Sequence, residues 1–88
     1  MIFEVAFSRA AAKTLDNVDR PTEQRIRERI KQIAFDPFDK RLSKALTDPK
    51  GHRSSRIGGW RILFAVSTEK ALVEILAIGS RGQIYRGL

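Results

Sequence analysis

The chain has 88 residues, no cysteine and one histidine, and its 17 Lys+Arg against 10 Asp+Glu give a net charge of +7. Cysteine chemistry is thereby excluded, both as a disulfide framework and as a thiolate metal site or nucleophile, which fits a reducing compartment. A single domain over residues 1–88 is expected, with one hydrophobic core.

No apolar run approaches the roughly 20 residues needed to span a bilayer, and the start of the chain lacks the basic, then apolar, pattern of a signal peptide. A soluble cytoplasmic protein with no membrane association is the expectation. Charge is unevenly spread: residues 1–40 hold 8 basic and 7 acidic side chains, residues 41–88 hold 9 and 3. A one-sided excess of this kind is the footprint of a nucleic-acid binder or of a protein with an acidic partner.

Phe3, Val5 and Phe7 alternate with Glu4 and Ala6, which predicts a first strand. Ser8 is placed to cap a short helix through Leu15, and Asp16–Asp19 reads as the break after it. Asp19 or a neighbour caps a second helix with Pro21 in its first turn. Ile26, Ile30 and Ile33 give that helix an apolar face, and it ends near Phe35 because Asp36-Pro37 resists continuation. Arg25, Arg27, Arg29 and Lys31 lie outside the apolar stripe; a solvated helix face is favoured over an RNA contact, because glutamates are interleaved.

Residues 36–52 read as a loop punctuated by Pro37, Pro49 and Gly51, with Leu42 and Leu46 spaced one helical turn apart to pin it to the core. Arg41, Lys44 and Lys50 are its basic positions. Gly58-Gly59 between two strand-like runs then signals a hairpin, by preference a type I′ turn with φ > 0 at both glycines. In that register Ile57 faces Trp60 and Arg56 faces Arg61, with Ser54 on the arginine face and Ile62, Phe64 and Val66 alternating away from it. Like charges opposed across a sheet are destabilising. The pair is therefore either two solvated arginines leaning apart or a clamp for an anion, which for the planar guanidinium fork means phosphate first. Residues 71–78 are almost continuously apolar, as in a strand buried on both faces, and Gly79 ends the run.

The familiar catalytic sets are missing. A lone His52 has no metal-ligand partner at the right spacing, no glycine-rich phosphate loop opens a helix, and acidic residues avoid the basic half. No metal or cofactor is expected. What remains is basic: Arg53, Arg56, Arg61, Arg81 and Arg86, interspersed with His52, Trp60 and Tyr85. Aromatic rings among arginines suit single-stranded RNA, whose bases stack while its phosphates pair with guanidinium.

Three patterns together, Arg56-Ile57-Gly58-Gly59-Trp60-Arg61-Ile62, Ile78-Gly79-Ser80-Arg81, and Tyr85 four residues further on, resemble the RelE/ParE toxin superfamily across essentially the whole chain. The resemblance implies an α+β RelE-like fold, two N-terminal helices packed on a mostly antiparallel four-stranded sheet. It implies a toxin of a type II toxin–antitoxin system, with a cognate antitoxin as partner in a hetero-oligomer.

For RelE-type members it implies a ribosome-dependent endoribonuclease that cuts mRNA in the A site by metal-free 2′-hydroxyl attack. On that side Arg61 resembles the residue stabilising the phosphorane-like transition state, and Arg81 the one serving the leaving 5′ oxygen. Tyr85 resembles the residue that stacks on the nucleotide, and Arg56 falls where the family sets a cation near the attacking hydroxyl. Ser54 stands where some members have a second basic residue, and Arg53, displaced by one, points to the other face. Lys44, Lys50, His52, Arg53 and Arg86 are the further RNA-binding candidates. His52, Tyr85, Lys44, Lys50 or a ribosomal group is open as proton acceptor, since a guanidinium stays protonated; for His52 a plain surface histidine is the favoured reading. Two other functions stand beside the nuclease: a ParE-like toxin that binds DNA gyrase without nuclease chemistry, and a simple basic RNA-binding domain.

Overall fold

A computed structural model describes residues 2–47 and 50–80; Arg81, Tyr85 and Arg86 lie outside the described residues. The elements run β1 (Glu4–Phe7), α1 (Arg9–Asn17), α2 (Arg20–Phe35), β2 (Lys44–Ala45), β3 (Arg53–Ile57), β4 (Trp60–Ser67) and β5 (Leu72–Ser80). The strands form one five-stranded sheet in the order β1-β5-β4-β3-β2, parallel at β1/β5 and antiparallel elsewhere. The sheet is mostly antiparallel as expected, but it has five strands, not four. The extra one is β2, two residues inside the stretch read as a loop. Lys44 pairs with Ser54 and Ala45 with Arg53, so Leu42 and Leu46 flank a short edge strand and do not share a helical turn.

Both helices start where the sequence caps them. Ser8 accepts from the Ala11 amide at 3.0 Å, and Asp19 accepts from the Thr22 amide at 3.2 Å. Each bond satisfies an amide that the first helical turn leaves without a partner. Ala11 and Leu15 of α1 and Ile26, Ile30 and Ile33 of α2 are buried against one face of the sheet. That face carries Ile62 and Phe64 of β4 with Val73, Ile75 and Ile78 of β5, and Trp60 and Val66 pack at its margins. The period-two rule then puts Arg61 and Leu63 on the opposite face of β4.

The near-continuous apolar run of β5 has a different cause from the one expected. Leu63 pairs with Ala77 but Phe64 pairs with Ile75, so Leu76 is an extra residue and the register shifts there. Ile75 and Ile78, three apart, consequently both reach the helix-side core. The bulge is tied down by α1: the Ser8 amide donates to the Ile75 carbonyl at 2.9 Å, and its hydroxyl donates to the Leu76 carbonyl at 2.7 Å. Nor does the strand stop at Gly79, which pairs with Arg61, while Ser80 pairs with Trp60.

Candidate functional site

The hairpin has the expected register, Ile57 opposite Trp60 and Arg56 opposite Arg61. Its turn is of another type: φ is positive at Gly58 (54°) but not at Gly59. One positive φ at the first central position is the pattern of type II′, whose twist also matches the flanking strands.

Below the turn, β3 becomes an open edge, because β2 pairs with it only as far as Ser54. Side chains replace the missing ladder. The Ser55 hydroxyl donates to the Leu42 carbonyl at 2.6 Å, and Arg29 of α2 donates through Nη1 to the Ser55 hydroxyl at 2.9 Å and to the Arg56 carbonyl at 2.8 Å. Arg29 thus joins helix, strand and loop at the backbone of Arg56, on the edge that β2 leaves unpaired. The helix-pattern reading of Arg29 as a solvated residue missed this, because its partners lie 26 and 27 positions away.

These ties shape a pocket of about 300 Å³ lined by Arg29, Lys40, Arg41, Lys44, Arg56 and Arg61, with Ser43 and Ser54 in its wall and no carboxylate residue in its lining. Asp39, beside the pocket, is spent on Arg41: Oδ2 accepts from Nη2 at 2.9 Å and Oδ1 from Nε at 3.2 Å. Those side-chain bonds, with a further one from the Arg41 amide, hold the Asp39 carboxyl below the usual carboxylate range and raise Arg41. Arg61 Nη1 is buried and has no hydrogen-bond partner among the described residues. A buried guanidinium nitrogen left so is costly unless an acceptor arrives from outside. Six cations around one small polar space make a site for an anion.

Of the residues singled out in the sequence, Lys44, Arg56 and Arg61 meet in this pocket, and Arg29, Lys40 and Arg41 join them. Lys50, His52 and Arg53 do not line it. Arg53 is turned to the other side, as its one-residue offset predicted. Its guanidinium lies 5.3 Å from the Phe38 ring centroid, and Nε donates to the Ser43 hydroxyl at 3.1 Å. It therefore braces the loop behind the pocket. The half-buried His52 accepts from the Leu46 amide through its backbone carbonyl at 2.8 Å, just outside the β2/β3 ladder. Among the described residues no cluster of His, Cys, Asp or Glu is suited to a metal ion, and no helix is long and apolar enough to cross a membrane.

The family described as the ParE toxin of type II toxin–antitoxin systems, parDE, matches residues 5–85, and the chain belongs to it. The fold is that of solved RelE proteins. A RelBE toxin–antitoxin complex from Mycobacterium tuberculosis superposes with a TM-score of 0.80 at 23% identity, over 92% of this chain and 100% of that one. An archaeal RelE–RelB complex from Pyrococcus horikoshii gives 0.80 at 18% identity, over 94% and 99%. The isolated RelE toxin of Escherichia coli gives 0.77 at 16%, over 89% and 83%. No curated protein is similar enough in sequence to count as a relative. The chain is thus a toxin of a type II toxin–antitoxin system with the RelE/ParE fold.

Proposed function

We propose that this toxin is an endoribonuclease that cuts mRNA on the ribosome. The observation that carries the reading is the Arg56–Arg61 pair set across the hairpin over a pocket whose charged lining residues are all cationic, with Arg61 Nη1 buried and without a partner among the described residues. Such a pocket suits the phosphate between two nucleotides. In the reaction the 2′-oxygen forms a bond to phosphorus, the bond from phosphorus to the 5′ oxygen breaks, and the leaving oxygen takes up a proton. Negative charge grows on the phosphoryl oxygens in between.

Arg61 is assigned to that charge, as a donor already in place before the reaction starts. Arg56, directly opposite, favours ionisation of the attacking hydroxyl through its field. Arg81 serves the leaving oxygen and Tyr85 stacks on a base in this proposal. Lys40, Arg41 and Lys44 hold the strand. No step calls for a metal. A ribosomal target places the protein in the cytoplasm.

The partner is an antitoxin. Matched structures from M. tuberculosis and P. horikoshii are toxin–antitoxin complexes, and this chain offers a place for such a partner. An apolar groove of about 530 Å³ runs between β1 and α2, lined by Ile2, Phe3, Phe7, Ile30 and Phe35 among others. Ile2 and Phe35 are each 69% exposed beside it, and β1 is a terminal strand of the sheet. An apolar-studded segment can fill the groove and add to the strand edge, and the +7 charge favours an acidic one.

The match to the ParE family favours a second reading, a toxin that binds gyrase without cutting RNA. Primer extension on mRNA from a translating extract separates the two. New 5′ ends that appear only with the toxin support the nuclease; intact mRNA, together with inhibited supercoiling by purified gyrase, supports the alternative.

A further inference from the structure

A second basic groove adjoins the pocket. It has a volume of about 930 Å³ and lies between the outer face of α2 and the hairpin tip, with Arg25, Arg27, Arg29, Lys31 and Arg56 in its walls and Glu28 as its one acid. Arg29 and Arg56 line both spaces, so the two are adjacent. The cations here are crowded. Arg25 Nη2 lies 3.2 Å from where a Cβ on Gly58 would stand, and Arg56 Nε is 3.4 Å from the Gly58 carbonyl. Two guanidinium groups thus converge on one turn residue. The ion pairs found among the described residues are Arg27 with Glu23 and Arg41 with Asp39, so Arg25, Arg29, Arg56 and Arg61 have no carboxylate partner there. Cations crowded in excess of the single carboxylate Glu28 repel one another, and a polyanion running past them removes that cost.

We propose that the α2–hairpin groove binds the single RNA strand beyond the phosphate held by Arg56 and Arg61, with Arg25 and Arg29 on neighbouring backbone phosphates. The inference rests on the nuclease reading above and extends it to nucleotides flanking the cut. Adjacency of the two basic spaces through Arg29 and Arg56 selects the occupant: a strand with one phosphate in the pocket brings its next phosphates to the groove. Gln24 and Gln32 supply neutral hydrogen-bonding groups along the same wall.

The test uses two RNAs with a 2′-deoxy block at the cut site, a dinucleotide and a 12-mer containing it, titrated against the intact protein over a range of KCl. Arg25→Gln is expected to weaken the 12-mer about fivefold at 0.1 M salt and to lower the salt slope by about 0.7, one lost contact on a single strand. Dinucleotide binding stays at the wild-type level, and Arg25→Lys restores the 12-mer. Arg9→Gln on α1, the same charge change away from both spaces, leaves the 12-mer slope unaltered. A wild-type slope for Arg25→Gln overturns the proposal, as does an equal loss from Arg9→Gln. Loss of antitoxin binding with RNA binding intact assigns the groove to an acidic protein segment and also overturns it. Arg61→Gln reports on the parent reading separately: if it spares the dinucleotide, the phosphate pocket itself is misassigned.

Discussion

Arg29 of α2 and Ser55 of β3, 26 positions apart, are joined by a 2.9 Å hydrogen bond that links the helix to the hairpin's open edge. The same nitrogen holds the Arg56 carbonyl, so the bond fixes the backbone from which Arg56 projects. Arg29→Ala removes both donors, and charged donors of this sort are worth about 1.5–3 kcal/mol when partly shielded. Because both sites are in part solvated, a loss of about 1–2 kcal/mol is expected, concentrated at the hairpin. Hydrogen exchange should show faster opening of the β3 amides with the β5 amides little changed. Uniform acceleration across the sheet would show Arg29 to be ordinary scaffold.

Ser8 is a single residue with two tasks. It caps α1 and holds the carbonyl of the bulge residue Leu76. Ser8→Ala loses a cap worth about 1 kcal/mol and strands the carbonyl of a bulge, for about 2 kcal/mol together. In a domain this size that lowers Tm by about 8–16 °C. Ser8→Thr keeps a hydroxyl at the site and should recover most of the loss.

Two carboxylates contribute to the acid side of the stability profile. Thr22, mainly through its hydroxyl and then its amide, holds the Asp19 carboxyl below 3.8, and Arg41 does the same for Asp39. A group whose pKa is depressed in the folded state stabilises above its unfolded value, and that stability is lost as pH falls through the folded one. The stability that these two carboxylates supply should therefore be present above about pH 4 and be lost as pH falls below it. Asp19→Asn, which still caps but does not titrate, should flatten part of that fall. An identical acid slope in the variant would contradict the assignment to Asp19.

How much of this was legible beforehand depends on the range of the interaction. The hairpin register and both helix caps are set by residues within a few positions, and the sequence carries them openly. Turn type was not legible, since two glycines permit more than one. The β2 strand escaped notice because two residues have no period, and its pairing is supplied by Arg53 and Ser54. The bulge at Leu76 was hidden for a related reason: an apolar run looks the same with or without a register shift. At the site, Arg56 and Arg61 were found through the hairpin, whereas Arg29 and Lys40 needed the fold to bring a helix and a loop to the same edge. Arg53 was picked for its neighbours in sequence, yet its side chain braces Phe38 and Ser43.

The groove proposed for the antitoxin can be tested without touching the arginines. Phe35 is 69% exposed, so Phe35→Asp should leave the isolated toxin's Tm almost unchanged. An aromatic anchor at the centre of an interface is worth about 2 kcal/mol or more, a factor of about 30 in affinity. Calorimetric titration with the protein encoded beside the toxin should show that loss. Unaltered affinity would move the antitoxin to another surface.

The most direct measurement is single-turnover cleavage of mRNA on programmed ribosomes by Arg61→Ala, beside an equilibrium ribosome-binding assay. A donor that acts on charge formed only in the transition state lowers the rate far more than the affinity. The expected loss is about 3–4 kcal/mol, two to three decades in rate, with binding weakened only mildly because it spreads over many phosphates. Arg9→Ala is the control: it removes one positive charge from α1, outside the lining of both basic spaces, and should cleave near the wild-type rate. Cleavage by Arg61→Ala at the wild-type rate, or loss of binding alone, would contradict the account.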